Sequence, residues 1–210
     1  MSERNINPVS NNYDKYNTYR TLMGRYNKAV KEKFYFEAII IEYALLEDRL
    51  KSFLYYLGTL KNKLSYKTVD NVKSKEEIKQ IVCLYKEKNE NDKIGITNIS
   101  GKMKIIKAIL KWVNECENID KNNQYLVLLK NECESLDIGG IFETLDKIKD
   151  WCDYRNEIVH ALMNKNIDSL YEKIDEKALE AFEYVKFISS QVNILKKNNK
   201  IRKKMNMSLN

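Results

Sequence analysis

Apolar side chains recur along most of the chain at the spacing of three and four residues that is typical of amphipathic helices. The strongest repeat covers residues 34–57 and comprises Phe36, Ile39, Ile40, Tyr43, Leu46, Leu50, Phe53, Leu54 and Leu57. Similar but weaker repeats predict further helices over residues 16–31, 75–88, 101–116, 122–136, 141–163 and 176–197. Alternation typical of strands never extends beyond a few residues, so the pattern predicts an all-α protein.

Residues that break helices are rare, which favours long helices over short ones. The 210 residues include a single proline, Pro8, and 6 glycines, while 43% of the chain is hydrophobic. We therefore expect a single-domain helical bundle in which the most apolar helix, 34–57, belongs to a long central pair. The expected boundaries are a flexible N-terminal segment (1–14), the helical domain (15–197) with a possible insertion or surface elaboration (59–99), and a basic flexible tail (198–210).

The net charge of +7 and the isoelectric point of about 9.0 suit an anionic partner such as nucleic acid. Part of this basicity is compositional, because lysine outnumbers arginine and asparagine, isoleucine and tyrosine are common, as in proteins from AT-rich genomes. No apolar run reaches the ~18 residues of a membrane span, and the N-terminal residues lack the apolar core of a signal peptide. The four cysteines form no C-x-x-C pair, and these features together predict a cytoplasmic protein with reduced, mostly buried thiols.

His160 is the only histidine of the chain, so any acid–base chemistry that uses imidazole near neutral pH must use this residue. A single histidine leaves no zinc site built from several imidazoles, and the carboxylates show no convincing metal-binding spacing, so we expect no metal and no other cofactor. Helical geometry places Arg155 within the apolar stripe of its helix and His160 at the border of that stripe. Asn156 lies one turn before His160. A core-facing arginine requires a partner or a function, because an unpaired buried guanidinium costs several kcal/mol.

These residue types suit the cleavage of RNA by its own 2′-hydroxyl, which needs a base, an acid and a cation beside the phosphorus. Histidine can carry the protons, and the fork of an arginine matches two phosphate oxygens. Asn156 can orient the imidazole of His160 or bind a phosphate oxygen. Two lysines that flank the motif, Lys149 and Lys165, can hold the RNA backbone or can simply be solvated.

The segment DWCDYRNEIVH, which contains Arg155 and His160, resembles the R-x(4–6)-H motif of the HEPN superfamily, including the usual polar residue after the arginine. The upstream segment YFEAIIIEYALLEDRLKSFL is similar to the second helix of that family, where an acidic residue in an L-E-x-x-L setting often faces the motif. Glu47 is the best match to this acidic residue, with Asp48 beside it. The resemblance therefore assigns Glu47 to the same site as the arginine and the histidine.

The resemblance covers roughly residues 16–195 and implies a metal-independent endoribonuclease that leaves a 2′,3′-cyclic phosphate and a 5′-hydroxyl. It also implies a homodimer in which two motifs share one cleft. The implied role is that of a toxin or an antiviral or abortive-infection effector, with a cognate antitoxin or defence-system partner. Relatives paired with nucleotidyltransferase antitoxins often carry a tyrosine two residues after the histidine. Here that residue is Leu162, which argues against a modification switch of that type.

Other interpretations of these residues stay open. Arg155 can form a salt bridge with Glu47 or Asp48 that only clamps the core, and His160 can be a helix residue without chemistry. Glu47 can equally pair with Lys51, which lies one turn later. The whole chain can also be a HEPN-fold protein that binds RNA without cutting it, or a helical protein that docks a partner.

Overall fold

The computed structural model describes residues 12–60, 74–85, 98–161 and 172–207. Within these ranges the chain folds into eight helices around one hydrophobic core and contains no strand, which confirms the prediction of a single all-α domain. The helices are α1 (Asn12–Lys31), α2 (Tyr35–Tyr56), α3 (Lys75–Leu84), α4 (Ile99–Glu115), α5 (Gln124–Cys133), α6 (Ile138–Ala161), α7 (Ile174–Asn198) and α8 (Lys200–Lys204).

Local hydrogen bonds determine where several of these helices begin and end. The Asn98 side chain accepts a hydrogen bond of 2.7 Å from the Gly101 amide at the start of α4. The Asn123 side chain accepts one of 3.1 Å from the Leu126 amide at the start of α5. Both asparagines thus satisfy amides that have no partner within their own helix. Gly58, which follows α2, has a φ of +78°, the left-handed conformation that glycine adopts without strain.

The central helix is α2, as its apolar pattern predicts, and it packs most extensively on α7. Helix α1 runs antiparallel to α2 along a different side. Near the start of α1, Lys15 Nζ lies 2.6 Å from Asp48 Oδ1 of α2. Near its end, Tyr26 lies beside Glu42 and donates a hydrogen bond of 3.4 Å to the Ala178 carbonyl of α7. Helix α2 is therefore enclosed between α1 and α7.

Helix α6, which carries the candidate motif, packs antiparallel on α7. At its start, the Asp137 amide donates a hydrogen bond of 3.1 Å to the Gln191 side chain of α7. Further along, the fully buried Trp151 donates its indole hydrogen bond of 2.9 Å to the Lys177 carbonyl. The predicted apolar stripe of α6 is confirmed by the buried residues Ile141, Leu145, Ile148, Trp151 and Ile158. This stripe fixes the rotation of α6 and therefore the direction of Arg155.

Helix α3 belongs to the stretch predicted as an insertion or surface elaboration (59–99). Its apolar face, Ile78, Ile81 and Val82, is buried and packs on α4. Ser74, just before α3, donates a hydrogen bond of 3.0 Å to the Gly58 carbonyl. Within the described residues this stretch therefore contributes buried side chains to the core. The rest of the stretch, 61–73 and 86–97, lies outside the described residues.

The prediction of a flexible basic tail from residue 198 is wrong for its described part. Residues 200–204 form α8, and both Ile201 and Arg202 are fully buried. Arg202 Nη1 donates hydrogen bonds of 3.1 Å to the Tyr55 carbonyl and 2.9 Å to the Leu60 carbonyl, and its guanidinium carbon lies 3.7 Å from the centroid of the Tyr55 ring. The last carbonyls of a helix lack partners within the helix, so Tyr55 at the end of α2, together with Leu60 just after it, stabilises this buried cation.

The chain ends and the cysteines differ in part from what the sequence predicted. The expected flexible N-terminal segment is already helical from Asn12, and residues 1–11 and 208–210 lie outside the described residues. Among the cysteines, none of which forms a disulfide, Cys133 is buried but Cys83 is exposed, contrary to the expectation of mostly buried thiols. No helix in the described ranges combines the length and the apolar character needed to cross a membrane.

Candidate functional site

Arg155 is half-buried on the second half of α6 and packs against an aromatic ring of α2. Its guanidinium carbon lies 4.4 Å from the centroid of the Tyr43 ring. Its Nη1 donates a hydrogen bond of 3.1 Å to Asn156 Oδ1. Its Nε is buried and has no hydrogen-bond partner among the described residues. A cation over a tyrosine face is stabilised by the ring quadrupole, so Tyr43 takes the place of the carboxylate expected beside a half-buried arginine.

The hydroxyl of Tyr43 is influenced by three neighbouring side chains, those of Cys152, Glu47 and Arg155. Burial raises the pKa of the Tyr43 hydroxyl; Cys152 and Glu47 raise it further, and Arg155 opposes them. Burial also raises the pKa of the Cys152 thiol to about 12. A thiol with so high a pKa stays protonated near neutral pH and is a poor nucleophile. The site therefore offers a cation and neutral side chains around it, but no reactive thiolate.

His160 lies in the last turn of α6 and is exposed to solvent. On an ideal helix its Cα direction diverges from that of Arg155 by about 140°, but from that of Asn156 by only about 40°. The hydrogen bond from Arg155 to Asn156 draws the guanidinium toward the side of the helix that carries His160. The structure thus brings Arg155 and Asn156 into contact and places His160 one turn beyond Asn156 on the same side.

Glu47 follows Tyr43 by one turn of α2 and forms an ion pair with α4. Its Oε1 accepts a hydrogen bond of 2.9 Å from Lys102 Nζ. The Lys102 side chain is only 3% exposed, whereas that of Glu47 is 32% exposed. The sequence left open a pairing of Glu47 with Lys51; the structure gives Glu47 a direct partner that sequence reasoning missed, Lys102. Glu47 thus lies one turn from Tyr43 on α2, with Lys102 as its direct partner.

The neighbouring carboxylate, Asp48, faces a different helix. It bonds Lys15 of α1 at 2.6 Å and also bonds Arg49. Burial would raise the pKa of Asp48, but these two cations outweigh burial and lower it. Both carboxylates therefore bond to cations other than Arg155, and the expected alternative of a salt bridge that clamps Arg155 is wrong. Of the two acidic residues, only Glu47 lies beside the candidate site.

Of the two flanking lysines, only Lys149 lies within the described residues. Lys149 is exposed on α6, and helical geometry aligns it with Asn156 and His160, seven and eleven residues later. These three residues form one solvent-facing line along the helix. Lys165 lies outside the described residues, as does Leu162. Within the described residues, no three histidine, cysteine, aspartate or glutamate side chains lie close enough together to hold a metal ion.

Two residues of this site, Tyr43 and Lys102, were not anticipated from the sequence as site residues. Tyr43 is separated from Glu47 by one helical turn, and that spacing is the signal that could have identified it. Lys102 lies between Ile99 and Met103, inside the buried face of α4. A lysine at such a position requires an anionic partner, so its place within the apolar stripe could have predicted its ion pair.

The relationship of the chain to known proteins was tested in three ways. Comparison with protein-family models, with curated proteins and with solved structures finds no match. The HEPN resemblance therefore depends on the motif residues themselves and on the all-helical fold that carries them.

Proposed function

We propose that the protein is a metal-independent endoribonuclease of the HEPN type. The observation that supports this most directly is the state of Arg155: a half-buried guanidinium held by an aromatic face and by Asn156, with no carboxylate partner among the described residues. Such a group retains its positive charge and can accept a phosphate. The exposed imidazole of His160 lies one turn beyond Asn156 on the same helix. A phosphodiester placed along this side of α6 can meet both groups.

The proposed reaction is an internal transesterification. A base takes the proton of the 2′-hydroxyl, whose oxygen attacks the adjacent phosphorus while the bond from phosphorus to the 5′-oxygen breaks and an acid protonates that oxygen. The products are a 2′,3′-cyclic phosphate and a 5′-hydroxyl. Arg155 stabilises the additional negative charge on the phosphate oxygens in the transition state. Imidazole is the side chain whose ordinary pKa lies nearest to neutrality, so His160 is assigned the proton transfers.

One imidazole per chain supplies one proton-transfer group, whereas the reaction uses both a base and an acid. We therefore propose a homodimer in which the His160 residues of two copies serve one phosphate. Ile40, which lies one turn before Tyr43 on α2, is an exposed apolar residue beside the site and suits such a contact. Analytical ultracentrifugation of the purified protein tests this part; a monomer at the concentrations that cleave RNA would contradict it.

The cleavage assay uses purified protein and labelled single-stranded RNA in the presence of EDTA. We expect cleavage by the wild type, with products that carry 2′,3′-cyclic phosphate ends. His160→Ala should abolish cleavage and retain RNA binding, and Arg155→Met should weaken both. Arg20→Met, which removes an exposed arginine of α1, is the matched control and should behave as the wild type. Binding without cleavage by the wild type would favour the alternative of a non-catalytic RNA-binding protein.

The pH dependence and the biological role can be tested with the same variants. The cleavage rate should depend on pH, because the proposed reaction passes protons through His160. Wild-type cleavage by His160→Ala would rule out His160 as the proton carrier. We further propose a role as a toxin or antiviral effector. Expression should then inhibit growth, and His160→Ala should relieve the inhibition; equal toxicity of this variant would contradict a role that depends on cleavage.

A further inference from the structure

The Arg155 guanidinium is supported in an unusual way for a half-buried cation, which ordinarily forms an ion pair. The Tyr43 ring lies under its plane at 4.4 Å, and within the described residues its one hydrogen-bond acceptor is Asn156 Oδ1. An aromatic face attracts a cation through its quadrupole but carries no net charge. This contact therefore holds the guanidinium in place and leaves its charge uncompensated.

The candidate carboxylate of α2, Glu47, is paired with another cation. Glu47 follows Tyr43 on α2 and is close enough to influence the Tyr43 hydroxyl. The buried Lys102 takes the Glu47 carboxylate into an ion pair of 2.9 Å on the α4 side. A carboxylate paired with Arg155 would occupy the N–H edge that binds phosphate, because both anions match the same fork.

We propose that Tyr43 is a positioning residue, whose ring holds Arg155 as a free cation ready for the RNA phosphate. The inference rests on the proposed role of Arg155 in RNA cleavage. Tyr43 acts through Arg155 and contacts no reacting atom. The Nε of Arg155 is buried, whereas its Nη1 donates to the exposed Asn156. The stacked guanidinium therefore presents Nη1 on the side of α6 that carries Asn156 and His160.

The first test measures the stack without RNA. The Nε proton of Arg155, assigned by its loss in Arg155→Met, is followed by NMR, because a proton beside an aromatic face is shifted by the ring current. Tyr43→Leu should move this signal toward the position of an unstacked arginine, and Tyr43→Phe should leave it in place. Tyr19→Leu, which removes the corresponding stack at 4.8 Å under Arg49, is the control and should leave it unchanged. An unmoved Arg155 signal in Tyr43→Leu overturns the inference.

The second test measures cleavage with the same variants. Tyr43→Leu should raise KM for RNA by roughly five-fold, the ratio that corresponds to about 1 kcal/mol for one cation–π contact. Because His160 is untouched, the shape of the pH profile should stay as in the wild type, and Tyr43→Phe should restore the wild-type KM. Wild-type KM in Tyr43→Leu overturns the inference even if the Arg155 signal moves.

The outcomes separate this inference from the proposed function. If the wild type neither cleaves nor binds RNA, the proposed function fails, and the NMR test still decides whether Tyr43 holds Arg155. If the wild type cleaves and Tyr43→Leu cleaves equally well, the proposed function stands and the positioning role fails. If leucine at this position prevents folding, as judged by circular dichroism, Tyr43→Met provides the same comparison, because the flexible thioether fills space without an aromatic face.

Discussion

Replacing Glu42 by glutamine should stabilise the protein in neutral and alkaline solution and should have much less effect in mild acid. Glu42 lies on α2, is fully buried, and has no well-aligned hydrogen-bond donor for either carboxylate oxygen among the described residues. Burial raises the pKa of Glu42 from 4.5 to about 9, and the nearby Tyr26 hydroxyl only partly opposes this effect. In the folded protein the group is therefore a neutral acid at pH 7, because loss of hydration disfavours the charged form of a buried carboxyl that lacks a cationic partner.

The magnitude follows from the proton that Glu42 takes up on folding. In the unfolded chain the carboxylate is ionised above pH 4.5, whereas in the folded chain it stays protonated up to about pH 9. The contribution of Glu42 to the free energy of unfolding is therefore fully present below its unfolded pKa. It is lost as the pH rises toward its folded pKa. Between these two pKa values, each pH unit lowers the free energy of unfolding by about 1.4 kcal/mol. The penalty reaches about 4 kcal/mol at about pH 7.5.

Urea denaturation followed by circular dichroism checks this prediction at two pH values. Glutamine resembles the protonated acid in shape but does not titrate, so Glu42→Gln should exceed the wild type in free energy of unfolding by about 1 kcal/mol at pH 5.5 and about 5 kcal/mol at pH 8.5. Glu37→Gln, an exposed position on the same helix, should show no such change between the two pH values. An equal difference between Glu42→Gln and the wild type at both pH values would refute the reasoning, because it would mean that Glu42 is ionised in the folded protein.

Two further substitutions test the contacts that close the end of α2. Arg202→Met should lower the free energy of unfolding by about 3 kcal/mol. The Leu60 carbonyl loses its Arg202 donor, the Tyr55 carbonyl keeps only the Gly58 amide, and the stack on the Tyr55 ring is lost. Urea denaturation measures this, and wild-type stability would contradict the structural role of Arg202. Gly58→Ala should cost about 1–2 kcal/mol, because its φ is +78° and the added Cβ would lie 3.0 Å from Ile201 Cγ2. A melting temperature equal to that of the wild type would show that this turn accommodates a side chain.

Helical periodicity predicted the buried faces of α2 and α6 in outline. The repeats are long and identify most of the core residues, although Ile40 of the predicted α2 repeat is exposed. They placed Arg155 within the apolar stripe of α6, where the structure has it half-buried. The same periodicity could not choose between Glu47 and Asp48, because neighbouring residues on a helix differ by about 100° and both lie at the edge of the stripe. The choice depends on which helix packs on each side, and only the fold supplies that information.

The basic segment around Arg202 shows why other features could not be predicted. A stretch of lysines and asparagines is typical of solvated chain, and a helix of five residues contains too few positions to show a repeat. The carbonyl groups that bind Arg202 belong to Tyr55, in the last turn of α2, and to Leu60, just after the helix, and any sequence would provide such carbonyls. Tyr43 was missed for a related reason: an aromatic residue in an apolar stripe is ordinarily core, and its contact with Arg155 depends on the packing of two distant helices.

The attachment of α8 to α2 also has a consequence for the order in which the fold is completed. Arg202 and Tyr55 are separated by 147 positions, so their contact joins an early part of the chain to a very late one. A nascent chain made only as far as α7 already contains Arg155, His160 and Glu47, yet the end of α2 lacks its donor. Domains fold progressively as they leave the ribosome. Products that stop before residue 202 would carry the candidate site on an unfinished scaffold that is more open to proteolysis.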